Sequence, residues 1–265
     1  MPSSSPRPAL DGVRVLDLSR VLAGPFCSML LGDLGAEVIK VERPGGGDDT
    51  RQWGPPWAGD GTGRESAYYL CCNRNRRSVE ADLQSEAGRA LVRRLARAAD
   101  VLLENFAPGT MAGWGLGCAI SGYGGTGPEA GRPGYDFAVQ ARAGWMAITG
   151  EPAGAPMKVG VALVDVLTGQ NAAVGILAAL RERERSGRGQ RVEVALQDAA
   201  LAALVNVAQA ALVGAEAARY GNAHPTIVPY QAFAASDRPF VVAVGNDAQW
   251  RRFCEVLGAP ELAEE

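Results

Sequence analysis

The stretch that decides the fold is LDGVRVLDLSRVLAGPFCSMLLGDLGAEVIKVE, residues 10–42. Val13, Val15, Leu16 and Leu18 make a short apolar strand, followed by the loop Ser19–Gly24. Pro25 stands where a first helical turn tolerates proline, because the amide it lacks would have no partner there. Phe26–Leu34 keeps helical spacing and stops at Gly35, a natural left-handed cap. Glu37–Glu42 reads as a second strand. Two strands joined through a helix pair parallel, since only antiparallel neighbours can be joined by a tight hairpin. The pattern repeats further on: a strand over Arg77–Leu83, a helix capped by Ser85 and running to about Ala99, and a strand over Val101–Glu104 that ends in the turn Asn105–Gly109. In that helix Leu91, Leu95 and Ala98 share a face. The repetition predicts an α/β domain, a Rossmann-like parallel sheet with flanking helices.

Outward from this core, residues 43–65 are rich in Gly and Pro and read as one long loop. Asp136–Thr149 is expected to be a helix with Phe137, Ala141, Trp145 and Ile148 on one face. Val166–Arg185 is expected to be a second helix with Asp165 at its start, and Arg191–Leu196 a strand. Asp198 is expected to cap a buried, Ala-rich helix through about residue 215. Phe240–Val244 and Asp247–Leu257 read as a strand and a helix that open a smaller α/β domain. The expected organisation is a disordered leader over 1–9, a large domain over 10–220, and a linker with the beginning of an incomplete small domain over 221–265.

Composition narrows the function. Of 265 residues, 47% are hydrophobic and 21% charged, with a net charge of −3. That balance belongs to a folded globular chain and provides no field to gather nucleic acid. The apolar run Ala199–Ala215 is too short and too interrupted to span a bilayer. The first ten residues carry no apolar signal region, and the five cysteines (Cys27, Cys71, Cys72, Cys118, Cys254) show no CxxC spacing, so reduced thiols in a cytoplasmic protein are expected. The single histidine, His224, precedes Pro225 in an extended segment and reads as structural; it leaves no His-rich metal site.

Four local features bear on chemistry. The loop Ser19–Gly24 feeds a helix N-terminus, which favours an anion. The second strand ends in Glu42-Arg43, where dinucleotide folds place an acid for a ribose hydroxyl or an arginine for a ribose phosphate; the plain alternative for Arg43 is a solvated strand-end charge. GYGGTG (122–127) formally fits GxGxxG but leads into Pro128 rather than a helix, so it reads as a turn-rich loop whose small residues permit close backbone approach. Asp165, between apolar neighbours at the head of a helix, is either an N-cap or a nucleophilic carboxylate that the helix N-terminus keeps ionised, and the two readings are compatible. Asp136 reads as a first-turn acid favoured by the helix dipole.

Taken together, LDGVRVLDLSRVLAGPF, LGDLGAEVIKVERPGGGDDTR, NRNRRS, DVLLENFAPG, SGYGGTGP, GYDFAVQARAGWMAITG, VGVALVDVLTG and SGRGQRVEVAL resemble the family III CoA-transferases. GPPWAG, NRNRRS, IVPYQAF and VGNDAQW look most like the branch that uses succinyl-CoA and dicarboxylates such as glutarate. The resemblance implies an interlocked homodimer, acyl-CoA and a small carboxylic acid as substrates, no permanently bound cofactor, no metal, and no nucleic-acid or membrane partner. It places the nucleophile on Asp165. Coenzyme A contacts fall on Arg20, Val21, Leu22 and Ala23, on Arg43, on Ala81 and Gln84, on Asn105 and Phe106, and on Gly134 and Tyr135. Gln84 stands where a lysine can occur and Gly113 where an arginine can occur, with Arg74, Arg76 or Arg77 as possible substitutes. Racemases of the same fold have a histidine where this chain has Tyr135, and a phenol is a poor base at neutral pH. Against the family pattern the chain lacks a stretch between Gly117 and Cys118 and stops early, so a non-catalytic CoA-binding module is the alternative reading.

Overall fold

The computed structural model describes residues 7–107, 109–111 and 118–264. Gly113 and the stretch leading into Cys118 lie outside the described residues, as does most of the expected leader. The chain forms two compact units, one of residues 1–143 with 160–205 and one of 144–159 with 206–265. The sequence reading divides the chain after residue 220 and assigns 144–159 to the large domain.

In chain order the larger unit contains β1 (Arg14–Asp17), α1 (Ala23–Asp33), β2 (Glu37–Glu42), the short pair β3 (Trp57–Ala58) and β4 (Glu65–Ser66), and α2 (Ala67–Cys72). It continues with β5 (Arg76–Glu80), α3 (Glu86–Ala98), β6 (Val101–Glu104), β7 (Cys118–Ser121) and α4 (Asp136–Arg142). After α5 (Trp145–Ile148), which lies in the other unit, come α6 (Leu163–Ser186), β8 (Val192–Ala195) and α7 (Leu196–Ala202). Six strands pair in the order β5-β2-β1-β6-β7-β8, all parallel. The α/β fold with a Rossmann-like sheet is therefore present.

One face of the sheet packs Leu16, Leu18, Val41 and Leu102 against Val92 and Ala96 of α3. Each fully buried Val or Leu here contributes about 1.5–3 kcal/mol. The α3 stripe is Gly88, Val92 and Ala96, one position along from the expected Leu91 and Leu95, which are half-buried at its edge. The cap is as expected, with Ser85 Oγ accepting from the Gly88 amide at 3.0 Å. On the other face α1 lies against α6. They approach closely at Gly169, where a Cβ would come within 2.6 Å of the Ala23 carbonyl oxygen. α6 is long and apolar enough, by length and composition, to cross a membrane. Its buried side, including Val164, Thr168, Ala172 and Ile176, is that of a helix packed inside a fold.

Three expected elements differ. The helix over 136–149 is broken, because Ala143 ends α4 and Gly144 takes φ +88°. Its buried residues are Asp136, Val139, Gln140 and Trp145, and Phe137 is exposed. The 43–65 loop is built from 3-10 turns and the β3–β4 pair, and it leads into α2, an element absent from the sequence reading. The Ala-rich helix is two, α7 and α8 (Val205–Leu212); α8 buries no residue, and Val205, Leu212 and Val213 are exposed.

The smaller unit also holds the antiparallel pair β9 (Tyr230–Phe233) and β10 (Phe240–Ala243), and α9 (Asp247–Leu257). Asn246 Oδ1 caps α9 by accepting from the Gln249 amide. His224 Nδ1 accepts from the amides of Thr226 and Ile227, both at 3.1 Å, which is the structural role expected of it.

Candidate active site

The sheet order fixes where a ligand can enter. From β1 the chain moves outward to β2 and β5, then returns to β6 on the other side of β1. Loops leaving the C-terminal ends of β1 and β6 therefore diverge and open a crevice. The loop after β1 is Ser19–Leu22, and the turn after β6 begins with Asn105 and Phe106. The Asn105 side-chain amide takes both backbone groups of Arg20: its Oδ1 accepts from the Arg20 N–H at 2.9 Å, and its Nδ2 donates to the Arg20 carbonyl at 2.8 Å.

Beside this contact is a cavity of about 230 Å³ whose walls include Arg20, Arg43, Ala81, Gln84 and Phe106. Five of the residues that the resemblance assigns to coenzyme A thus meet at one place. Arg20 Nη1 and Arg43 Nη2 converge on Asp49, at 3.3 and 2.7 Å, and both guanidinium groups are half exposed. A phosphate could draw on their remaining N–H groups. Glu42 is not free for a ribose. It is buried and held by Arg51, Tyr69, Ser78 and the Asp48 amide. Burial alone would raise its pKa; the bonds from Arg51, Ser78 and Asp48 outweigh that and bring it to about 2. Arg74, Arg76 and Arg77 pair with Asp33, Asp17 and Glu37, and none of the three is part of the wall of this cavity.

The same loop leads to a second cluster. Leu22 precedes α1 and Ala23 begins it. Leu22, Met29 and Cys72 pack with Val21, Phe26, Tyr68 and Ala162, and Ala162 is the residue before α6. Asp165 lies in the first turn of α6 and is not its N-cap. The capping acceptor is Asp136, whose Oδ1 accepts from the amides of Val164 (2.8 Å) and Asp165 (3.2 Å), while its Oδ2 accepts from Gln140 Nε2 at 2.6 Å. Asp136 opens α4, yet its carboxylate serves the N-terminus of another helix.

Asp165 is 9% exposed, and among the described residues no group donates a hydrogen bond to its carboxylate. Burial, with the Asp136 charge second, pushes its pKa up to about 7. The helix N-terminus does not keep this group fully ionised; desolvation and a like charge win. Tyr68 is pushed up to about 12, by burial first and then by the Asp165 charge. Sequence reasoning did not single out Tyr68. The usable signal was Ser66 ahead of AYYLCC: Ser66 Oγ accepts from the Tyr68 amide and starts α2.

Tyr135 is the N-cap residue of α4 and 64% exposed. Gly134 before it lies backbone to backbone with Gly122. A Cβ on Gly122 would come within 2.6 Å of Gly134, and one on Gly134 within 2.3 Å of Gly122 Cα. The close approach that the small residues of 122–127 permit is therefore, at Gly122, an approach to the protein's own chain. It fixes the entry to Tyr135 and Asp136.

One loop joins the crevice, walled by Arg20 and Arg43, to the packing of Leu22 against Ala162 just ahead of α6 and the buried Asp165. Residues 10–265 match the family model described as CoA-transferase family III, and the chain belongs to that family. It is 47% identical over 275 residues to the succinate–glutarate CoA-transferase of Agrobacterium fabrum, covering 98% of this chain and 69% of that protein. It is 45% identical over 269 residues to the human succinyl-CoA:glutarate CoA-transferase, covering 96% of this chain and 60% of that one. A crystal structure of a CAIB/BAIF family protein from Brucella suis superposes with a TM-score of 0.86 at 45% identity, over 98% of this chain and 72% of that one.

Proposed function

We propose that this protein transfers coenzyme A from an acyl-CoA, with succinyl-CoA as donor and a dicarboxylic acid such as glutarate as acceptor, and that Asp165 is the nucleophile. The observation that supports this most directly is the buried Asp165 carboxylate, to which no group among the described residues donates a hydrogen bond, beside Asp136. Stripped of water and donors, such an oxygen is more nucleophilic than a solvated one, and the surroundings that exclude water also spare an activated acyl group from hydrolysis.

In this reading an Asp165 oxygen attacks the thioester carbonyl, and the tetrahedral oxyanion collapses to expel the CoA thiolate and leave a mixed anhydride. The thiolate then attacks the Asp165 carbonyl carbon, forming an aspartyl thioester and releasing the donor acid as its carboxylate. The acceptor carboxylate attacks that thioester and releases the thiolate again. A final attack of the thiolate on the acceptor's acyl carbon gives the new acyl-CoA and returns Asp165 as carboxylate. Charge balances at each step, and no cofactor or metal is consumed. Arg20 and Arg43 would hold phosphates, and the loop 20–23 with Asn105 and Phe106 would seat the rest of the nucleotide. Gly134 and Tyr135 would line the approach to the carboxylate. A racemase would need a base where Tyr135 stands. The family resemblance extends the reading to an interlocked homodimer, and light scattering tests whether the protein is a dimer.

The test is single turnover with radiolabelled succinyl-CoA. The protein should trap label in a hydroxylamine-sensitive bond, Asp165→Ala should trap none, and its transfer to glutarate should fall to background. Transfer that survives the substitution would overturn the assignment.

A further inference from the structure

We infer that Lys40 and Asp48 are positioning residues for the nucleotide loop, acting by holding Val21 in a backbone conformation it would not otherwise adopt. The inference rests on the proposed binding of coenzyme A at this loop. Val21 has φ +72°. That left-handed region is disfavoured for L-residues, and a β-branched side chain there is a clear outlier. Such strain persists only where the surroundings over-determine it.

Here they do. Lys40 and Asp48 form an ion pair at 2.9 Å in which both side chains are 0% exposed. Both Asp48 oxygens accept from the Val21 amide, each at 3.3 Å. Lys40 Nζ donates to the Ser19 carbonyl at 2.9 Å. The pair thus grips the loop two residues apart, on either side of Arg20. Asp48 is itself fixed, because its Oδ1 accepts from the Thr50 amide (3.0 Å) and hydroxyl (2.8 Å), and its own amide donates to Glu42 at 2.7 Å. Burial would raise the Asp48 pKa, but the Lys40 charge and the Thr50 bonds overcome it and hold the group below its ordinary value. An apolar pair of similar volume would suit a buried site at least as well for stability alone. What an apolar pair could not do is hold the Val21 amide and the Ser19 carbonyl.

The consequence is specific. Without the Asp48 charge the loop relaxes towards negative φ at residue 21, and Arg20, which walls the crevice between the two gripped residues, moves with it. Glycine at position 21 tolerates the left-handed region at no steric cost, so a loop carrying it does not depend on the grip.

Four proteins test this: wild type, Asp48→Asn, Val21→Gly and the double variant, each checked for folding by circular dichroism and titrated with coenzyme A by calorimetry. Asp48→Asn should raise Kd roughly tenfold when residue 21 is valine, which is about what the left-handed region costs. It should raise Kd less than about threefold when residue 21 is glycine. If Asp48→Asn does not fold, Thr50→Val takes its place. It removes one hydroxyl bond to Asp48 and should show the same dependence on residue 21 at smaller amplitude. An equal penalty in both backgrounds overturns the positioning role while leaving the function intact. A wild-type protein that does not bind coenzyme A overturns both.

Discussion

Replacing Asp165 with asparagine should make the protein more stable at alkaline pH even as it removes the proposed nucleophile. The magnitude follows from the burial of this carboxyl. Its pKa stands at about 7 against an ordinary 3.8. Each tenfold change in an ionisation constant is worth about 1.4 kcal/mol, so the ionised group costs the folded state about 4 kcal/mol once both states are charged. The sign is the reverse of the usual one for a carboxyl. Between pH 4 and 7 the folded protein holds the proton more tightly than the unfolded chain, so stability falls as pH rises through that window. About 2.5 kcal/mol of the loss accrues between pH 5 and pH 8. Asparagine keeps the shape and carries no charge. Its own burial penalty is independent of pH and cancels when the two pH values are compared. Urea titrations of both proteins at pH 5 and pH 8 measure the difference. With a slope of about 3 kcal/mol per molar urea, the wild-type midpoint should drop by about 1 M more than that of the variant. Parallel pH dependences would refute the claim that Asp165 is a desolvated carboxyl.

Two other outcomes probe the surroundings of Asp165. Asp136→Asn keeps an oxygen to cap α6 but removes the second cause of the raised pKa and turns an amide N–H towards Gln140 Nε2, so the acid limb of the kcat/KM profile should move below pH 7 while the melting temperature falls; a limb that stays in place would deny the coupling. Gly134→Ala puts a methyl group within 2.3 Å of Gly122 Cα, where only backbone is available to yield. It should destabilise the fold by about 1–3 kcal/mol and lower kcat, as read from thermal melts and steady-state assays.

Much of the frame was legible because it follows from short-range rules. Glu37–Glu42, Val101–Glu104 and Asp247–Leu257 have the boundaries that apolar runs and flanking caps predict. What the sequence concealed depends on contacts between distant segments. Asp136 carries the mark of a first-turn acid, and no periodicity reveals that its carboxylate turns away to cap α6, 28 residues on. Glu42 sits at the strand end where a ribose-binding acid is expected, but Arg51, arriving through the Gly/Pro-rich loop, occupies it. α2 is not legible because six residues make too short a run for helical spacing to register. The break after α4 is not legible because Gly144 can end a helix or sit within one, and sequence alone does not say which.

The choice of Asp136 as the cap for α6 is itself informative. Two amides at the head of a helix need an acceptor, and asparagine or serine would serve as well without adding charge. A carboxylate there is costly, because its charge opposes ionisation of Asp165 in a place where burial already does so. A protein selected only for stability would relieve the conflict at either residue, and a single change of Asp to Asn would suffice. The pair makes sense if Asp165 must stay poorly stabilised as an anion. A carboxylate satisfied by donors is a weak nucleophile and a good leaving group, whereas one held near neutrality by its surroundings gives up its charge readily to an acyl carbon. By this reasoning the first turn of α6 is stabilised through its backbone while, among the described residues, nothing donates a hydrogen bond to the side chain of its proposed nucleophile. Backbone order and side-chain reactivity are thereby set by separate oxygens, those of Asp136 and those of Asp165.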